Sequence, residues 1–372
     1  MQECTGKEIK ALVLQTVTKT SVDVRGVGGS LIRDYLSNRY QRVKIGTQLS
    51  NKLTVKFGIP QGTVLGPLLF QVYINTIFQV EVPGKVVSYA DDTVLLFTGT
   101  TWEETKNKAE IGMQKINQFL NSNLLTLNTE KTKFITFSLN NSNCSNLKFL
   151  KLHKCNSIEN CLTCTDRVNF VKEIKYLGIK LDMFLKWDVH INMTINKLRR
   201  LLYFFSQLRF ILDINNLKLI YISLVESVIS YAIPIWGNAY EVYLTPLKVL
   251  QKKIIKIIYQ TPNLYPTHTL FQLSNLSDLE CIYLFRVLSF IKKNKIFSET
   301  ISHSYSTRAN LLEQYIFPKA NNTFYLKCLD YVGIKIFNSL PLTLRNIQNH
   351  NKFKKEVKKY IQINKLQLKL LL

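Results

Sequence analysis

The chain is short of acidic residues: 25 Asp and Glu stand against 49 Lys and Arg, for a formal net charge of +24. That deficit favours a polyanionic partner, because each phosphate neutralised by Lys or Arg releases counterions. Nucleic acid leads and an anionic membrane surface comes second; a Lys-rich, Asn-rich genome would give the same excess with no partner at all. Internal repeats, Gly/Ser linkers and Pro-rich tracts are all missing, so solenoids and flexibly tethered modules are excluded. The seven cysteines are an odd number and mostly scattered, which fits a reducing compartment better than a disulfide framework. No long charge-free apolar run exists. The longest apolar stretch, Leu219 to Trp236, contains Glu226 and Pro234, with Lys218 at its start, and reads as one buried helix of a soluble protein. The N-terminal stretch has too short an apolar core for a secretory signal. The expectation is an intracellular chain, nuclear and cytoplasmic, with no membrane partner.

What is present is ordinary globular composition, 46% hydrophobic and 20% charged, over 372 residues, enough for roughly two domains. Apolar residues at helical spacing predict a helix over Gly28 to Arg39, and alternation predicts a hairpin over Gln41 to Gly58. The segment TVLGPLLFQVYINTIF reads as a buried helix, TWEETKNKAEIGMQKINQFLNSN as an amphipathic one, and Lys133 to Ser138 as a strand. A polar, cysteine-containing insertion at 139–166 precedes further strands around VNFVKEIKYLGIKLD. From Trp187 onward helical periodicity dominates, and the tail from Lys352 is a basic, partly amphipathic helix. The fold class is α+β, with a boundary near residue 185.

Within VVSYADDTVLLF, Val86 to Phe97, two adjacent carboxylates interrupt an apolar run. Burying them unpaired is costly, and they repel one another. Neighbouring side chains in a strand point to opposite faces, so Asp91 and Asp92 can share a ligand only where the chain bends. The flanking apolar stretches read as two short strands with Ala90, Asp91 and Asp92 at the hairpin tip. Carboxylates there are hard oxygen ligands suited to Mg²⁺ or Mn²⁺, and paired ions can clamp the oxygens of a phosphoryl transfer. A plain turn explains the same residues as readily, since Asp is common in turns. Upstream, KFGIPQGTVLGPLLF carries Gln61 and Gly62; the glycine permits close backbone approach and the glutamine can hydrogen-bond a ligand. Downstream, Lys131 and Lys133 precede a strand, where either could reach a triphosphate or sit as a solvated charge.

The order of these segments resembles the palm of reverse transcriptases, most closely those of jockey-type retrotransposons that lack long terminal repeats. By that resemblance, Tyr89 to Asp92 match the Tyr-Ala-Asp-Asp box, with Asp91 and Asp92 catalytic and metal-binding. Gln61, Gly62, Tyr89 and Lys131 surround the incoming nucleotide, and Tyr176, Leu177 and Gly178 match the turn that holds the primer end. The stretches IPIWGNAY and IKIFNSLPLTLRN also look like this family. The implied fold is an incomplete polymerase palm over 25–185 followed by an all-helical, thumb-like and C-terminal region over 186–372. The implied function is RNA-directed DNA polymerisation within a mobile element, with RNA template, DNA primer and deoxynucleoside triphosphates as partners.

The family's palm also has an earlier strand carrying another metal-binding Asp, ahead of the segment matched by RGVGGSLIRDYLSNRYQRVKIG. Residues 1–24 carry no such motif; Asp23 stands alone and Asp34 falls on a predicted helix. Fingers and endonuclease residues are likewise absent. The expectation is an N-terminally truncated chain whose stand-alone activity is lost. The alternative function is that of a catalytically inactive nucleic-acid-binding remnant.

Other groupings rank lower. His153, Cys155, Cys161 and Cys164 could build a tetrahedral zinc site, but the short Cys155–Cys161 spacing favours a surface hairpin with incidental thiols. RGVGG follows no clear strand and lacks the Lys-Ser/Thr ending of a phosphate loop. Tyr203, Phe204, Phe205 and Phe210 lie among Arg199, Arg200 and Arg209. Helical spacing assigns most of those aromatics to the core and leaves the arginines to contact a nucleic-acid backbone.

Overall fold

A computed structural model describes residues 26–55, 59, 62–138, 147–152, 166–295, 315–364 and Leu368. The fold is α+β. The chain divides into two compact units, one of residues 1–136 and 141–177, the other of 137–140 and 178–372.

The first unit opens with α1 (Gly26–Leu36) and a ladder of very short strands. These are β1 (Tyr40–Gln41), β2 (Lys44–Ile45), β3 (Gln48–Leu49) and β4 (Leu53–Thr54). β1 pairs antiparallel with β4 and β2 with β3, so the alternation in this stretch does produce a hairpin. All of its strand residues are exposed. Next comes α2 (Leu65–Ile74), continued by one stretch of 3₁₀ helix. The sequence marks this segment as a buried helix, and burial is only one-sided. Leu69, Tyr73 and Ile77 are buried, at i, i+4 and i+8, whereas Val64 is 95% exposed and Leu68 and Phe78 about half exposed. Uniform apolarity hid which face packs.

β5 (Lys85–Tyr89) and β6 (Asp92–Leu96) form an antiparallel hairpin in register from Lys85↔Leu96 to Tyr89↔Asp92. The 21-residue helix α3 (Trp102–Ser122) starts at Thr101, whose hydroxyl accepts from the Glu104 N–H. Its core face is Ala109, Gly112, Met113 and Ile116, the one-sided spacing of an amphipathic helix. Gly112 is required there: a Cβ would lie 2.4 Å from the Phe97 ring, so the glycine makes the notch into which the end of the Asp-Asp hairpin packs. β7 (Lys133–Phe134) is shorter than the expected strand. It pairs parallel with β9 (Arg167–Phe170), which pairs antiparallel with β8 (Phe149–Lys151), in the order β7-β9-β8. β10 is Glu173–Tyr176.

Two small apolar clusters hold this unit. In one, Leu36, Leu69 and Tyr73 pack with Tyr35, Ile59, Leu65 and Leu125. In the other, Ala109, Met113, Leu150, Leu152 and Val168 pack with Leu95, Phe97, Leu127 and Phe134.

The second unit opens on β11 (Ile179–Asp182), and its further elements among the described residues are helices. Its elements are α4 (Asp188–Leu208), α5 (Ile214–Tyr221), a π-turn (Ile222–Glu226), α6 (Ser227–Ser230) and α7 (Ile233–Trp236). They continue with α8 (Glu241–Ile258), α9 (Thr267–Ser274), α10 (Leu279–Asn294), α11 (Leu329–Asn338), α12 (Leu342–Arg345) and α13 (His350–Ile363). One large core gathers their apolar faces, with Trp236, Tyr221, Tyr283, Phe205, Phe337 and Phe353 fully buried. Gln251 is buried among them with its amide satisfied: it donates to the Tyr221 hydroxyl at 2.8 Å and the Ser277 carbonyl at 3.1 Å, and accepts from the Leu279 N–H at 3.0 Å.

Two expectations change here. The run Leu219 to Trp236 is not one helix: it passes through the π-turn, ends α6 at Tyr231 and restarts after Ala232, held in the left-handed region at φ 50°. No helix among the described residues is long and apolar enough to cross a membrane. The aromatics after Arg200 are mostly outside the core. Phe205 is buried, while Tyr203 and Phe210 are each 73% exposed and Phe204 is 41% exposed.

Candidate active site and nucleic-acid surface

The Asp-Asp pair sits where the alternation placed it. Tyr89 closes β5, Asp92 opens β6 opposite it, and Ala90 and Asp91 make the turn. Ala90 adopts φ 54°, the left-handed conformation that a two-residue turn demands of its first position. The bend is what lets adjacent carboxylates leave the two-faced alternation of a strand. Below them the Ser88 and Thr93 hydroxyls bond across the hairpin at 3.1 Å. Asp91, Asp92 and Tyr89 are all exposed. The charges are therefore solvated, and the apolar flank is not: Leu95 and Phe97 anchor the same hairpin in the cluster on α3.

Lys131 lies beyond α3 in a turn built by Asn128. The Asn128 side-chain oxygen accepts from the Lys131 N–H at 3.0 Å, and its carbonyl accepts from the Thr132 hydroxyl at 2.7 Å. The ammonium is exposed. Just before the turn, Leu125 and Leu127 point into different clusters: Leu125 packs with α1 and α2, and Leu127 packs with the hairpin's Leu95 and Phe97. This Leu-x-Leu step joins the support of the Gly62 segment to that of Asp91 and Asp92. Sequence reasoning singled out only Lys131 and Lys133 in this segment. Gly62 adopts φ +76° with open space where a Cβ would go, so conformation rather than crowding calls for glycine. Beside it, the Thr63 hydroxyl accepts from the Gly66 N–H at 3.2 Å at the entry to α2. Gln61 lies outside the described residues, as do Asp23, His153, Cys155, Cys161 and Cys164.

The Tyr176–Gly178 turn joins β10 to β11. Leu177 and Gly178 both have positive φ, 45° and 82°, the signature of a tight hairpin turn. Gly178 lies against the Tyr231 ring, which an added Cβ would approach to 3.4 Å. β11 ends on Asp182, 8% exposed, whose carboxylate accepts backbone N–H groups from Phe184, Lys186 and Trp187 at 3.0, 3.0 and 2.9 Å. Those bonds fix the loop that launches α4. On α4, Arg199 and Arg200 are exposed beside Tyr203 and Phe204, and the Arg209 guanidinium lies 4.6 Å from the Phe210 ring centre. A basic face interleaved with exposed aromatics is the composition of a single-strand binding surface, in which bases stack and cations follow the backbone.

Mg²⁺ takes carboxylate oxygens in a near-ideal octahedron and keeps water in the remaining positions. Asp91 and Asp92 have the right donor atoms and are open to solvent. Among the described residues no group of three or more His, Cys, Asp and Glu side chains gathers to hold a metal ion. Two carboxylates would thus leave most of an ion's shell to water and substrate.

Residues 12–181 match the family model described as reverse transcriptase (RNA-dependent DNA polymerase). Over that stretch the chain is similar to reverse transcriptases, and the curated proteins it resembles come from mobile elements. It is 27% identical over 263 residues to a probable RNA-directed DNA polymerase from transposon BS of Drosophila melanogaster, covering 67% of this chain and 27% of that one. It is 26% identical over 250 residues to the RNA-directed DNA polymerase from mobile element jockey of Drosophila funebris, covering 62% and 25%. A probable RNA-directed DNA polymerase from transposon X-element of Drosophila melanogaster is 23% identical over 243 residues, covering 61% and 24%. The chain spans about a quarter of the length of these curated relatives. No solved structure matches it.

Proposed function

We propose that the chain serves RNA-directed DNA polymerisation in a mobile element, its first unit acting as an incomplete palm and its helical unit as a thumb-like clamp. The reading rests above all on the exposed Asp91–Asp92 tip of a hairpin whose apolar flank is anchored on α3. Asp91 is the principal ligand for Mg²⁺ or Mn²⁺ and Asp92 its partner. The ion, when bound, supplies charge neutralisation at a triphosphate and activates the attacking hydroxyl. Gln61, Gly62, Tyr89 and Lys131 line the place of the incoming nucleotide, and Lys131 offers a point charge to its phosphates. Tyr176, Leu177 and Gly178 steady a primer end. Arg199, Arg200 and Arg209 follow the backbone of template and primer strands.

One observation favours a second reading, a nucleic-acid-binding remnant: no third metal-ligating side chain gathers with the pair among the described residues. Primer extension on an RNA template, with Mg²⁺ and separately with Mn²⁺, tests the remnant reading. The expected result for this chain alone is binding of template and primer without extension. Template-dependent extension that is abolished in Asp91→Ala would refute the remnant and show that another carboxylate completes the site.

A further inference from the structure

The helical unit contains a cavity of about 360 Å³ that no motif pointed to, lined by Ile222, Glu226, Ser230, Tyr231 and Arg286 among others. Its size falls at the lower end of ligand pockets, roughly 300–1,000 Å³. The backbone around it is irregular in two places. Glu226 closes the π-turn, and Ala232 holds a left-handed conformation at φ 50° and ψ 20°. π-turns and left-handed non-glycine residues cluster at functional sites, because the surrounding structure must over-determine them.

The wall chemistry is divided. The Arg286 guanidinium donates to the Ser230 hydroxyl at 3.2 Å, and most of its other N–H groups are left for a ligand. Glu226 supplies a carboxyl, which burial pushes above the usual range while Lys358 and Arg286 pull it down. With Lys358 also acting on this carboxyl, the cations outnumber the acid. Tyr231 contributes a half-exposed ring, 52% exposed, which also lies against Gly178. A cation, a hydrogen-bond acceptor and an aromatic face around one cavity match the three parts of a nucleotide: phosphate, hydroxyl-bearing sugar and base. The base must be unpaired to stack, which selects a single strand.

We propose that this cavity is a nucleotide subsite for single-stranded RNA, in which Tyr231 stacks on a base, Arg286 takes a phosphate and Glu226 accepts from a 2′-hydroxyl. The proposal rests on the nucleic-acid reading above and adds to it a subsite and a discrimination between RNA and DNA. Tyr231 also lies against Gly178 of the same unit.

Binding of the whole chain to a labelled oligouridylate and to its deoxy counterpart, at several salt concentrations, tests this. Arg286→Gln is expected to make the slope of log affinity against log salt shallower by about 0.7, one single-strand phosphate contact. Arg286→Lys should keep most of that slope. Tyr231→Leu retains an apolar contact for Gly178 but no π-face, and should weaken binding about five- to tenfold at every salt concentration. Glu226→Gln should narrow the preference for RNA over DNA. If the wild-type chain binds and all of these variants keep its affinity, slope and preference, the subsite is refuted while the nucleic-acid reading stands. An equal loss in Arg286→Lys and Arg286→Gln also refutes it, since a charge contact does not predict that. A wild-type chain that binds neither oligonucleotide removes both.

Discussion

Replacing Asp182 should loosen the start of α4 more than any surface acid warrants. Its carboxylate accepts three backbone N–H groups within five residues, and the loop it holds contains two non-glycine residues in the left-handed region, Leu185 at φ 51° and Trp187 at φ 69°. Each left-handed residue costs roughly 1–2 kcal/mol, and the hydrogen bonds must outweigh that. Bonds to a charged acceptor are worth roughly 1.5–3 kcal/mol each, an upper bound here because Phe184 and Lys186 are exposed and water can reach their amides. Asp182→Ala removes all three bonds and should cost about 3 kcal/mol; Asp182→Asn keeps the two at one oxygen and should cost about 1 kcal/mol. Urea denaturation followed by circular dichroism gives both numbers. Hydrogen exchange at the amides of Phe184, Lys186 and Trp187 locates the effect. If both variants fall within about 0.5 kcal/mol of the parent, an ordinary surface change, the carboxylate does not hold the loop. Function should follow stability: a frayed α4 presents Arg199 and Arg200 less rigidly, so the Ala variant should also bind single-stranded RNA more weakly.

Two further outcomes follow from the helical unit. His190 is 3% exposed, edge-on to Trp236 at 5.5 Å, and accepts from the Lys180 N–H at 3.3 Å. Burial, with a smaller push from Lys197, lowers its pKa from 6.5 to about 4. A base depressed in the folded state contributes stability that is full above pH 6.5 and is lost as pH falls towards 4; at 1.36 kcal/mol per unit this is about 3 kcal/mol. The urea midpoint should drop between pH 7 and 4.5 by more in the parent than in His190→Gln, and equal drops would show the imidazole is not held neutral by burial. In α13, Phe353, Val357 and Ile361 face the core, while Lys352 and Lys355 are exposed. Truncating the tail would therefore remove core as well as charge. Phe353→Ala should cost about 3–5 kcal/mol, whereas Lys352→Gln with Lys355→Gln should leave stability unchanged and flatten the salt dependence of RNA binding. An unchanged salt slope in the double variant makes α13 a structural helix alone.

Patterns of one dimension were legible in the sequence. The Asp91–Asp92 hairpin, α1, α3 and the helical second half follow from local periodicity, because a period of two or 3.6 is a property of neighbouring residues. The positive φ of Gly62 and Gly178 belongs to the same class, since glycine marks backbone that few other residues tolerate. The order of motifs carried the resemblance, because the chemistry of a reaction fixes which residue types occur in which segments.

What the tertiary structure decided concerns faces and junctions. A uniformly apolar stretch does not say which side packs, so Leu69 and Tyr73 could not be told from Val64 and Leu68 until α1 and Leu125 covered one side. Helical spacing could not tell that Phe205 enters the core while Tyr203 and Phe210 face water, because the partner α8 covers only one stripe of α4. The apolar run from Leu219 breaks at Tyr231–Ala232 because Trp236 must bury its ring and donate its indole N–H to the Tyr231 carbonyl at 2.9 Å. The cavity at Glu226 and Arg286 is likewise tertiary. Its groups lie sixty positions apart, on a π-turn and on α10, and nothing local in either segment announces the other.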